Sequence, residues 1–338
     1  MKALVYTDVE VLSYTDRPMP IPQEGEELVR IVASGICGSD MHAYLGHDAR
    51  RPAPLTLGHE AAGVVANGAN KGRRVTINPL VACQNCSYCR TRRENLCPHR
   101  EIISMHPREG AFAEYVAMPH RNLITVPDNV SLAHAALAEP IACGWHAVRL
   151  GKSVLGGNLS QLRCAVIGGG AIGVGAALSL AAQGARDITV IEPNEIRRSA
   201  LADVAGFEVC APNEDAMPSD GEVDFVIDGV GYAATRETCS ALARAGGVIA
   251  HIGLGEATGG LDVRRMTLQE ITFIGTYTYT AADFAATAAA IFEGSLGDLD
   301  WIEERALADG HAAFKDIRSG SVAAPKIILT PEHATPVS

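Results

Sequence analysis

Residues 164–182 read CAVIGGGAIGVGAALSLAA, a run of 19 residues whose one polar side chain is Ser179. Five glycines fall within the eight positions from 168 to 175. By hydropathy the run could span a membrane, but glycines at this density suit a sharp turn between a buried strand and a buried helix much better than one continuous helix. We therefore predict a strand over residues 164–167 and a helix over residues 172–183.

The turn between these two elements matches the pattern G-x-G-x-x-G. Gly168, Gly170 and Gly173 are its glycines, and Ala171 and Ile172 lie between the last two. Such glycines allow a tight turn and a close approach of the backbone to a pyrophosphate, while the helix N-terminus offers N–H groups and a positive dipole end. In this strand, turn and helix context the pattern predicts a dinucleotide site formed by these five residues.

A carboxylate follows the next predicted strand, residues 188–191. Glu192 lies 24 positions after Gly168, where an acidic side chain accepts hydrogen bonds from the adenosine ribose and repels a 2′-phosphate. The sequence therefore favours NAD over NADP. Arg197 and Arg198 keep one alternative open, because arginines on the following helix can hold a 2′-phosphate. We assign Glu192 and Arg197 to the cofactor site.

Short apolar runs alternate with helical ones after this turn, which predicts an α/β domain with a doubly wound parallel sheet. Its further predicted elements are strands 223–228, 247–252 and 272–275 and helix 233–243. Before it, alternating segments broken by Pro and Gly, such as 27–33 and 63–66, predict a mainly β domain. A helix over 283–293 and a strand over 326–329 are expected to return to that first domain. The predicted domains are residues 1–139, 140–275 and a C-terminal segment, 276–338.

Composition limits the function classes. The chain has 338 residues, 47% hydrophobic and 20% charged, as expected for about two well-filled globular domains. Its formal net charge is −11, with Lys and Arg scattered, which argues against nucleic acid or an anionic membrane as partner. The opening residues, MKALVYTDVE, lack a secretory pattern, so we expect a cytoplasmic location.

Four cysteines form the densest motif. Cys83, Cys86, Cys89 and Cys97 have the spacing C-x2-C-x2-C-x7-C, and we call residues 83–97 the lobe. Four thiolates at this spacing predict a closed, tetrahedral structural zinc site. Three alternatives stay open: disulfides, which a reducing compartment disfavours; an iron–sulfur cluster, for which Pro98 is a partial signal; and four unrelated buried thiols.

Dispersed residues offer a second set of metal ligands. Cys37 lies in GICGSDMH, His59 and Glu60 lie in GHE, and Glu139 lies in AEP. A thiolate, an imidazole and a carboxylate would form a mixed site with a position left for water or substrate, the form of a catalytic zinc. Spacing alone leaves the alternative that each is an ordinary buried or surface residue.

The motifs taken together and in order resemble the zinc-dependent medium-chain dehydrogenases, the alcohol and polyol group, over nearly the whole chain. The matching pieces are GICGSDMH, LGHEAAG, the four-cysteine lobe, GAFAEY, AEPIACGWHAV, VIGGGAIG and PKIILTP. The resemblance implies a GroES-like, mainly β catalytic domain holding both metal sites, a Rossmann domain for NAD, and an active site in the cleft between them. Glu139 followed by Pro140 is similar to sorbitol, xylitol and related polyol dehydrogenases.

The same resemblance implies a ligand set and a reaction. Two zinc ions per chain are expected, one in the lobe and one held by Cys37, His59 and either Glu60 or Glu139. The zinc would lower the pKa of a secondary hydroxyl of the substrate, and hydride would pass to NAD. We expect the two glutamates to exchange places during turnover. A homodimer or homotetramer is also expected.

The resemblance also implies a route for release of the alcohol proton and gives roles to three further residues. Ser39 matches the relay hydroxyl of the family and His42 the next station, so the alcohol proton would leave through Ser39, the cofactor ribose and His42. Asp40 is expected to orient His59. Two other functions stay open, a zinc-free quinone reductase on the same fold and a non-catalytic, zinc-stabilised nucleotide sensor. The substrate also stays open among sorbitol, xylitol, galactitol or its phosphate, a butanediol and a sugar acid.

Overall fold

The computed structural model describes residues 1–204 and 206–332. Its strands, in chain order, are β1 (Lys2–Asp8), β2 (Val11–Asp16), β3 (Glu26–Gly35), β4 (Leu55–Thr56), β5 (Glu60–Val65), β6 (Arg74–Ile77), β7 (Leu80–Val81), β8 (Glu101–Ile102), β9 (Tyr115–Pro119), β10 (Leu123–Thr125), β11 (Arg163–Ile167), β12 (Asp187–Ile191), β13 (Glu208–Cys210), β14 (Val223–Asp228), β15 (Ala243–His251), β16 (Thr272–Gly275), β17 (Ile302–Ala306) and β18 (Lys326–Thr330). The helices are α1 (Gly38–Tyr44), α2 (Ser87–Arg90), α3 (Leu132–Ala136), α4 (Ala138–Val154), α5 (Ala171–Ala182), α6 (Glu195–Leu201), α7 (Ala233–Leu242), α8 (Val263–Gln269), α9 (Ala281–Phe292) and α10 (Gly310–Ser319). Single 3-10 turns cover Glu94–Leu96, His120–Asn122 and Leu307–Asp309.

The second half of the molecule contains a sheet of six parallel strands, in the order β13-β12-β11-β14-β15-β16. This is the order of a doubly wound dinucleotide fold, with the change of direction between β11 and β14. Ile167 at the end of β11 lies opposite Ile191 on one side and Asp228 on the other. The glycine turn and Glu192 therefore meet at the carboxyl edge of the sheet, as the sequence predicts.

The strands of this sheet are buried on both faces. Val166, with its neighbours on the same face, packs in one cluster with residues of α4 and α5. Ala165 and Ile167 lie on the opposite face in a cluster that includes residues of α7. This alternation with a period of two explains why β11 is apolar throughout. The predicted fold class is confirmed.

Residues 164–182 form β11, the glycine turn and α5, and not one continuous helix. Gly173 is required at this turn, since a Cβ there would collide with the carbonyl oxygen of Gly168. Within residues 1–204 and 206–332, no helix combines the length and apolar character needed to cross a bilayer.

Several predicted boundaries are wrong by a few residues, among them that of the segment expected over 63–66, which the structure has as Glu60–Val65. The helix expected over 283–293 begins at Ala281, because Thr280 Oγ1 accepts a hydrogen bond from the Asp283 N–H while the Asp283 carboxylate accepts one from the Thr280 N–H. This reciprocal capping box fixes the start of the helix two residues earlier. The strand expected over 247–252 is Ala243–His251, because pairing with β14 begins at Ala243.

The first half contains a seven-stranded sheet in the order β10-β6-β5-β3-β18-β17, with β9 also paired to β3. The last strand of the chain, β18, pairs antiparallel with β3. The end of the C-terminal segment, β17 and β18, thus joins the first sheet, whereas α9 packs against α4. The domain bounds after residues 139 and 275 stay predictions.

Candidate active site

Three of the dispersed ligand candidates meet at one end of the first sheet. One ligand atom each of Cys37, His59 and Glu60 lies within 4.8 Å of the other two, and we call these residues the cleft cluster. Cys37 precedes α1 just after β3, and Glu60 begins β5, which pairs with β3 so that Glu60 lies opposite Gly35. A side chain at position 35 would collide with the Glu60 carboxylate, because its Cβ would overlap with Oε2. The glycine at this position of β3 therefore leaves the space that the carboxylate occupies.

Asp40 supports two members of the cleft cluster. Its Oδ2 accepts a hydrogen bond of 3.0 Å from the Cys37 N–H, and its Oδ1 accepts one of 3.2 Å from Gly58 and lies 3.4 Å from His59 Nδ1. Burial opposes the charged form of His59, but the Asp40 carboxylate and the Cys37 sulfur outweigh it and raise the pKa of His59 well above its ordinary value. The structure thus places Asp40 where it holds the orientation of His59.

A buried lysine neutralises Glu60. Lys326 Nζ lies 2.7 Å from Glu60 Oε1 and 2.6 Å from Oε2, and it also donates to the carbonyl oxygen of Ile36 at 2.7 Å. Burial disfavours charge on Lys326, yet the Glu60 carboxylate and the Cys37 sulfur raise the pKa of Lys326. Our sequence reasoning missed this partner, although Lys326 opens the apolar segment PKIILTP and a lysine that begins a buried strand was a usable signal.

Glu139 lies beside the cluster and not in it. It is buried in the first turn of α4, and its Oε1 accepts a 2.7 Å hydrogen bond from the hydroxyl of Tyr279. Burial raises the pKa of Glu139 and the Glu60 carboxylate adds to the rise, while His59, the Tyr279 hydroxyl and Lys326 oppose it. Glu139 is therefore within electrostatic reach of the cleft cluster but is held by a tyrosine that the sequence did not indicate.

Two serines flank the ring of His59. Ser39 Oγ lies 3.5 Å from Nε2, and Ser104 Oγ lies 3.4 Å from Nδ1. The buried Arg51 donates to the carbonyl oxygens of both serines, at 3.2 Å to Ser39 and 3.0 Å to Ser104. His42 lies half-buried on α1 after Ser39. Neither Arg51 nor Ser104 carried a signal in the sequence.

The lobe gathers its own four sulfurs. Sγ atoms of Cys83, Cys86, Cys89 and Cys97 all lie within 4.8 Å of one another. The backbone N–H of Asn85 lowers the pKa of the Cys83 thiol to about 6, while burial and the neighbouring Cys86 sulfur raise the pKa of the Cys89 thiol to about 12. All nine cysteines of the chain lie in the described residues, and the structure has all of them as free thiols.

A cleft connects the cleft cluster to the glycine turn. It encloses a cavity of about 240 Å³. Residues of the first half on its walls include Cys37, Glu60 and Lys326, and those of the second half include Gly170, Ala171, Ile172 and Arg197.

Glu192 closes the glycine turn from the side of the sheet. Its Oε2 accepts a 2.7 Å hydrogen bond from the Gly169 N–H and lies 3.3 Å from Arg197 Nη1, and its Oε1 accepts from the Asn194 N–H at 2.8 Å. Among the residues described, the buried Nε of Arg197 has no hydrogen-bond partner. The space beside Gly170 is open to a radius of 4 Å around an added Cβ. An open turn with an unsatisfied donor beside it fits a bound nucleotide.

The donor sets also fit two zinc ions. Four sulfurs match a closed structural site, and one sulfur, one imidazole nitrogen and one carboxylate match an open catalytic site. An iron–sulfur cluster could use the lobe but not the mixed set.

Comparisons with known proteins agree with this geometry. Residues 23–128 match the family described as alcohol dehydrogenase GroES-like domain, and residues 171–293 match the family described as zinc-binding dehydrogenase. The chain is 31% identical over 309 residues to L-galactonate-5-dehydrogenase of Escherichia coli, covering 88% of each chain. It is 31% identical over 297 residues to sorbitol dehydrogenase of Bacillus subtilis, covering 82% of each. The structure of acetophenone reductase from Geotrichum candidum in complex with NAD superposes with a TM-score of 0.86 at 25% identity, covering 97% of this chain and 96% of that one.

A sulfur, nitrogen and oxygen cluster facing a glycine turn across one cleft defines a two-domain, metal-dependent dehydrogenase. The chain belongs to the zinc-dependent medium-chain dehydrogenase family, within its alcohol and polyol group. The predicted family and the predicted enzyme class are confirmed.

Proposed function

We propose that this chain oxidises a secondary hydroxyl of a polyol or of a sugar-derived acid and transfers the hydride to NAD. The observation that carries the proposal is the single cleft that joins the cleft cluster to the open glycine turn. Relatives named L-galactonate-5-dehydrogenase and sorbitol dehydrogenase support a polyhydroxylated substrate.

Cys37, His59 and Glu60 would hold the catalytic zinc. When bound, that zinc supplies a Lewis acid that lowers the pKa of the substrate hydroxyl. Lys326 offsets the charge of the Glu60 carboxylate at 2.6 Å, so that a second carboxylate, Glu139, can lie beside the cleft cluster without a large excess of negative charge. Exchange between Glu60 and Glu139 during turnover stays a prediction.

Residues of the chain itself would orient the His59 ligand and transfer the proton of the substrate alcohol. Asp40 keeps His59 in one tautomer and one ring orientation, since its Oδ1 faces Nδ1. Ser39 would accept the alcohol proton at Oγ while it gives up its own hydroxyl proton, and the half-buried His42 would release a proton to solvent at the end of this relay. Arg51 holds the backbone of Ser39 through the 3.2 Å bond to its carbonyl oxygen.

The preference for NAD rests on Glu192, and Glu192→Ala tests it. The change should lower the ratio of kcat/KM with NAD to that with NADP at least about tenfold, because it removes the ribose acceptor and the repulsion of a 2′-phosphate and leaves Arg197 free beside the site. Glu195→Ala, at an exposed carboxylate three positions on, is the control and should leave the ratio unchanged. An unchanged ratio in Glu192→Ala would place Glu192 away from the ribose.

A substrate panel tests the proposed reaction. The zinc-loaded protein is mixed with NAD and with sorbitol, xylitol, galactitol, galactitol phosphate, a butanediol or a sugar acid, and NADH absorbance is followed. Turnover of at least one is expected. No turnover of any, with zinc present, would favour the nucleotide sensor, whereas a zinc-free chain that reduces quinones would favour the quinone reductase.

We also propose a cytoplasmic homodimer or homotetramer. The strand β16 lies at the end of the six-stranded sheet, where a second copy could add its own strand. Light scattering on the eluted protein should give a mass of two or four chains. A single chain mass at micromolar concentration would contradict the proposal.

A further inference from the structure

One short loop touches both metal regions. Residues 276–280 join β16 to α9, and we call them the bridge loop. On the lobe side, the buried Asn95 Nδ2 donates to the carbonyl oxygen of Tyr277 at 2.8 Å. Arg100 lies over the ring of Tyr277, 4.8 Å from its centroid, and Nη2 donates to the Tyr277 hydroxyl at 3.3 Å. The residues around Cys97 thus hold the start of the loop.

On the cleft side, the loop ends at the catalytic region. The Tyr279 hydroxyl donates to Glu139 Oε1 at 2.7 Å, and both side chains are buried. Tyr279 also packs on Phe284, with ring centroids 5.5 Å apart. One residue, Thr278, separates the two tyrosines, and its φ of 47° lies in the left-handed region that β-branched residues rarely adopt. Such a conformation persists only when its surroundings fix the backbone on both sides.

The far end of the bridge loop is tied to the helix that carries Glu139. Asp283 accepts hydrogen bonds from the Thr280 N–H and hydroxyl, at 3.2 and 2.6 Å. The same carboxylate lies 2.7 Å from His146 Nδ1 and accepts from Arg149 at 3.0 Å through Nη2, and both residues are on α4. The far end of the loop is therefore held in place, and a displacement of Tyr277 falls on the two residues between the fixed ends, Thr278 and Tyr279.

We propose that the bridge loop couples the lobe to Glu139, with Asn95 and Tyr279 as positioning residues. The ordered lobe holds Tyr277, which holds the Tyr279 hydroxyl on Glu139 and keeps that carboxylate in place beside the cleft cluster. Loss of order in the lobe releases Glu139. The inference rests on the proposed function in so far as Glu139 acts in that reaction.

A double-mutant cycle tests the coupling. Asn95→Ala removes the amide donor and Tyr279→Phe removes the hydroxyl while keeping the ring. Each change should lower kcat about five- to tenfold with little effect on the KM for NAD. If both act along one path, the double variant should lose no more kcat than the stronger single variant. Thr91→Ala, an exposed lobe position whose hydroxyl bonds only lobe carbonyls, is the control.

Hydrogen exchange gives a readout that needs no turnover. The amides of residues 138–143, in the first turns of α4, should exchange faster in Asn95→Ala than in Thr91→Ala. Arg100→Gln removes the stacking on Tyr277 and serves if Asn95→Ala does not fold. Additive losses of kcat, or unchanged exchange at 138–143, would overturn the coupling. Faster exchange with no polyol turnover in any protein would support the coupling and contradict the proposed function.

Discussion

The lobe and the cleft cluster are built in opposite ways. The lobe takes all four sulfurs from residues 83–97, and the hydrogen bonds to these sulfurs come from the lobe itself. The cleft cluster takes its atoms from two separate segments, Cys37 just after β3 and His59 with Glu60 at the start of β5, and Glu60 is paired with Lys326, 266 positions away. A self-contained sulfur site can order a loop that has few apolar residues, whereas a dispersed site exists only after the fold has formed.

The difference predicts distinct consequences of metal loss. The lobe contributes a closed site, so its metal should determine local order. The cleft cluster leaves an open side towards the cavity, and Asp40 and Lys326 orient two of its members from buried positions. Its metal should determine chemistry, and its loss should leave the fold nearly unchanged.

The largest expected effect is that of Cys37→Ser. Removing the soft ligand should lower kcat/KM at least about 100-fold, since changes at residues that only orient a ligand already cost 10- to 100-fold. Zinc content should fall by one per chain, with NAD binding and Tm nearly unchanged. Cys143→Ser is the control, because it changes a nearby sulfur that lies outside the cleft cluster and contacts the Glu139 carbonyl oxygen at 4.0 Å. Full activity of zinc-depleted Cys37→Ser would refute the assignment.

Asp40→Asn should have the next largest effect. It keeps the shape of the side chain but removes the charge that faces His59, so zinc affinity of the cleft cluster or kcat should fall about 10- to 100-fold. Titration with a chelator and a zinc indicator measures this affinity, and the lobe zinc of the same protein serves as internal reference. Equal weakening of both sites would mean that Asp40 supports the fold generally.

Cys97→Ser tests the lobe, the other of the two metal sites. It should remove one zinc per chain and lower Tm by about 3 to 4 °C, corresponding to about 2 to 3 kcal/mol in a chain of this size. Proteolysis should appear first at the exposed arginines Arg90, Arg92 and Arg93. Ser87→Ala, also exposed in the lobe, should change neither quantity. Two zinc ions and an unchanged Tm in Cys97→Ser would show that the four-cysteine assignment is wrong.

The smallest predicted effect concerns Asp283, which connects the bridge loop to α4, and this effect depends on pH. Burial opposes the charge of Asp283, but bonds from His146, Arg149 and Thr280 outweigh it and hold the pKa of Asp283 well below its ordinary value. The unfolded chain then binds more protons than the native chain in the window between the two values, so this stabilisation is complete above about pH 4 and is lost as the pH falls.

Asp283→Asn should therefore lower the free energy of unfolding by about 2 kcal/mol at neutral pH. The difference from the unsubstituted protein should shrink as the pH is lowered below about 4. Urea unfolding at a series of pH values measures it, with the exposed Asp298→Asn as control. A difference that stays constant with pH would contradict the role given to the Asp283 charge.

The parts of the molecule that the sequence predicted are those with local signals. The glycine turn, the four-cysteine spacing and the alternation of β11 each lie within one short segment, where backbone freedom, ligand spacing and a period of two determine the structure. Boundaries were less accurate, because the capping box of Thr280 and Asp283 starts α9 three residues before its first large apolar side chain, Phe284.

Most of the residues that hold the catalytic side chains in place could not be predicted from the sequence. Lys326 meets Glu60 only because β18 pairs with β3, and Tyr279 meets Glu139 only because the bridge loop crosses the start of α4. Arg51 reaches two serines that are far apart in the chain. These partners are chosen by tertiary packing and carry no spacing signal of their own. The choice between Glu60 and Glu139 likewise depends on such partners.

The central claim is that the lobe and the cleft cluster each hold one zinc ion. A crystal of the protein purified without chelator, measured at the zinc absorption edge, tests it most directly. Two anomalous peaks per chain are predicted, one among the sulfurs of Cys83, Cys86, Cys89 and Cys97 and one between Cys37, His59 and a carboxylate. A lobe peak with no peak in the cleft, from protein that turns over its substrate, would contradict the account.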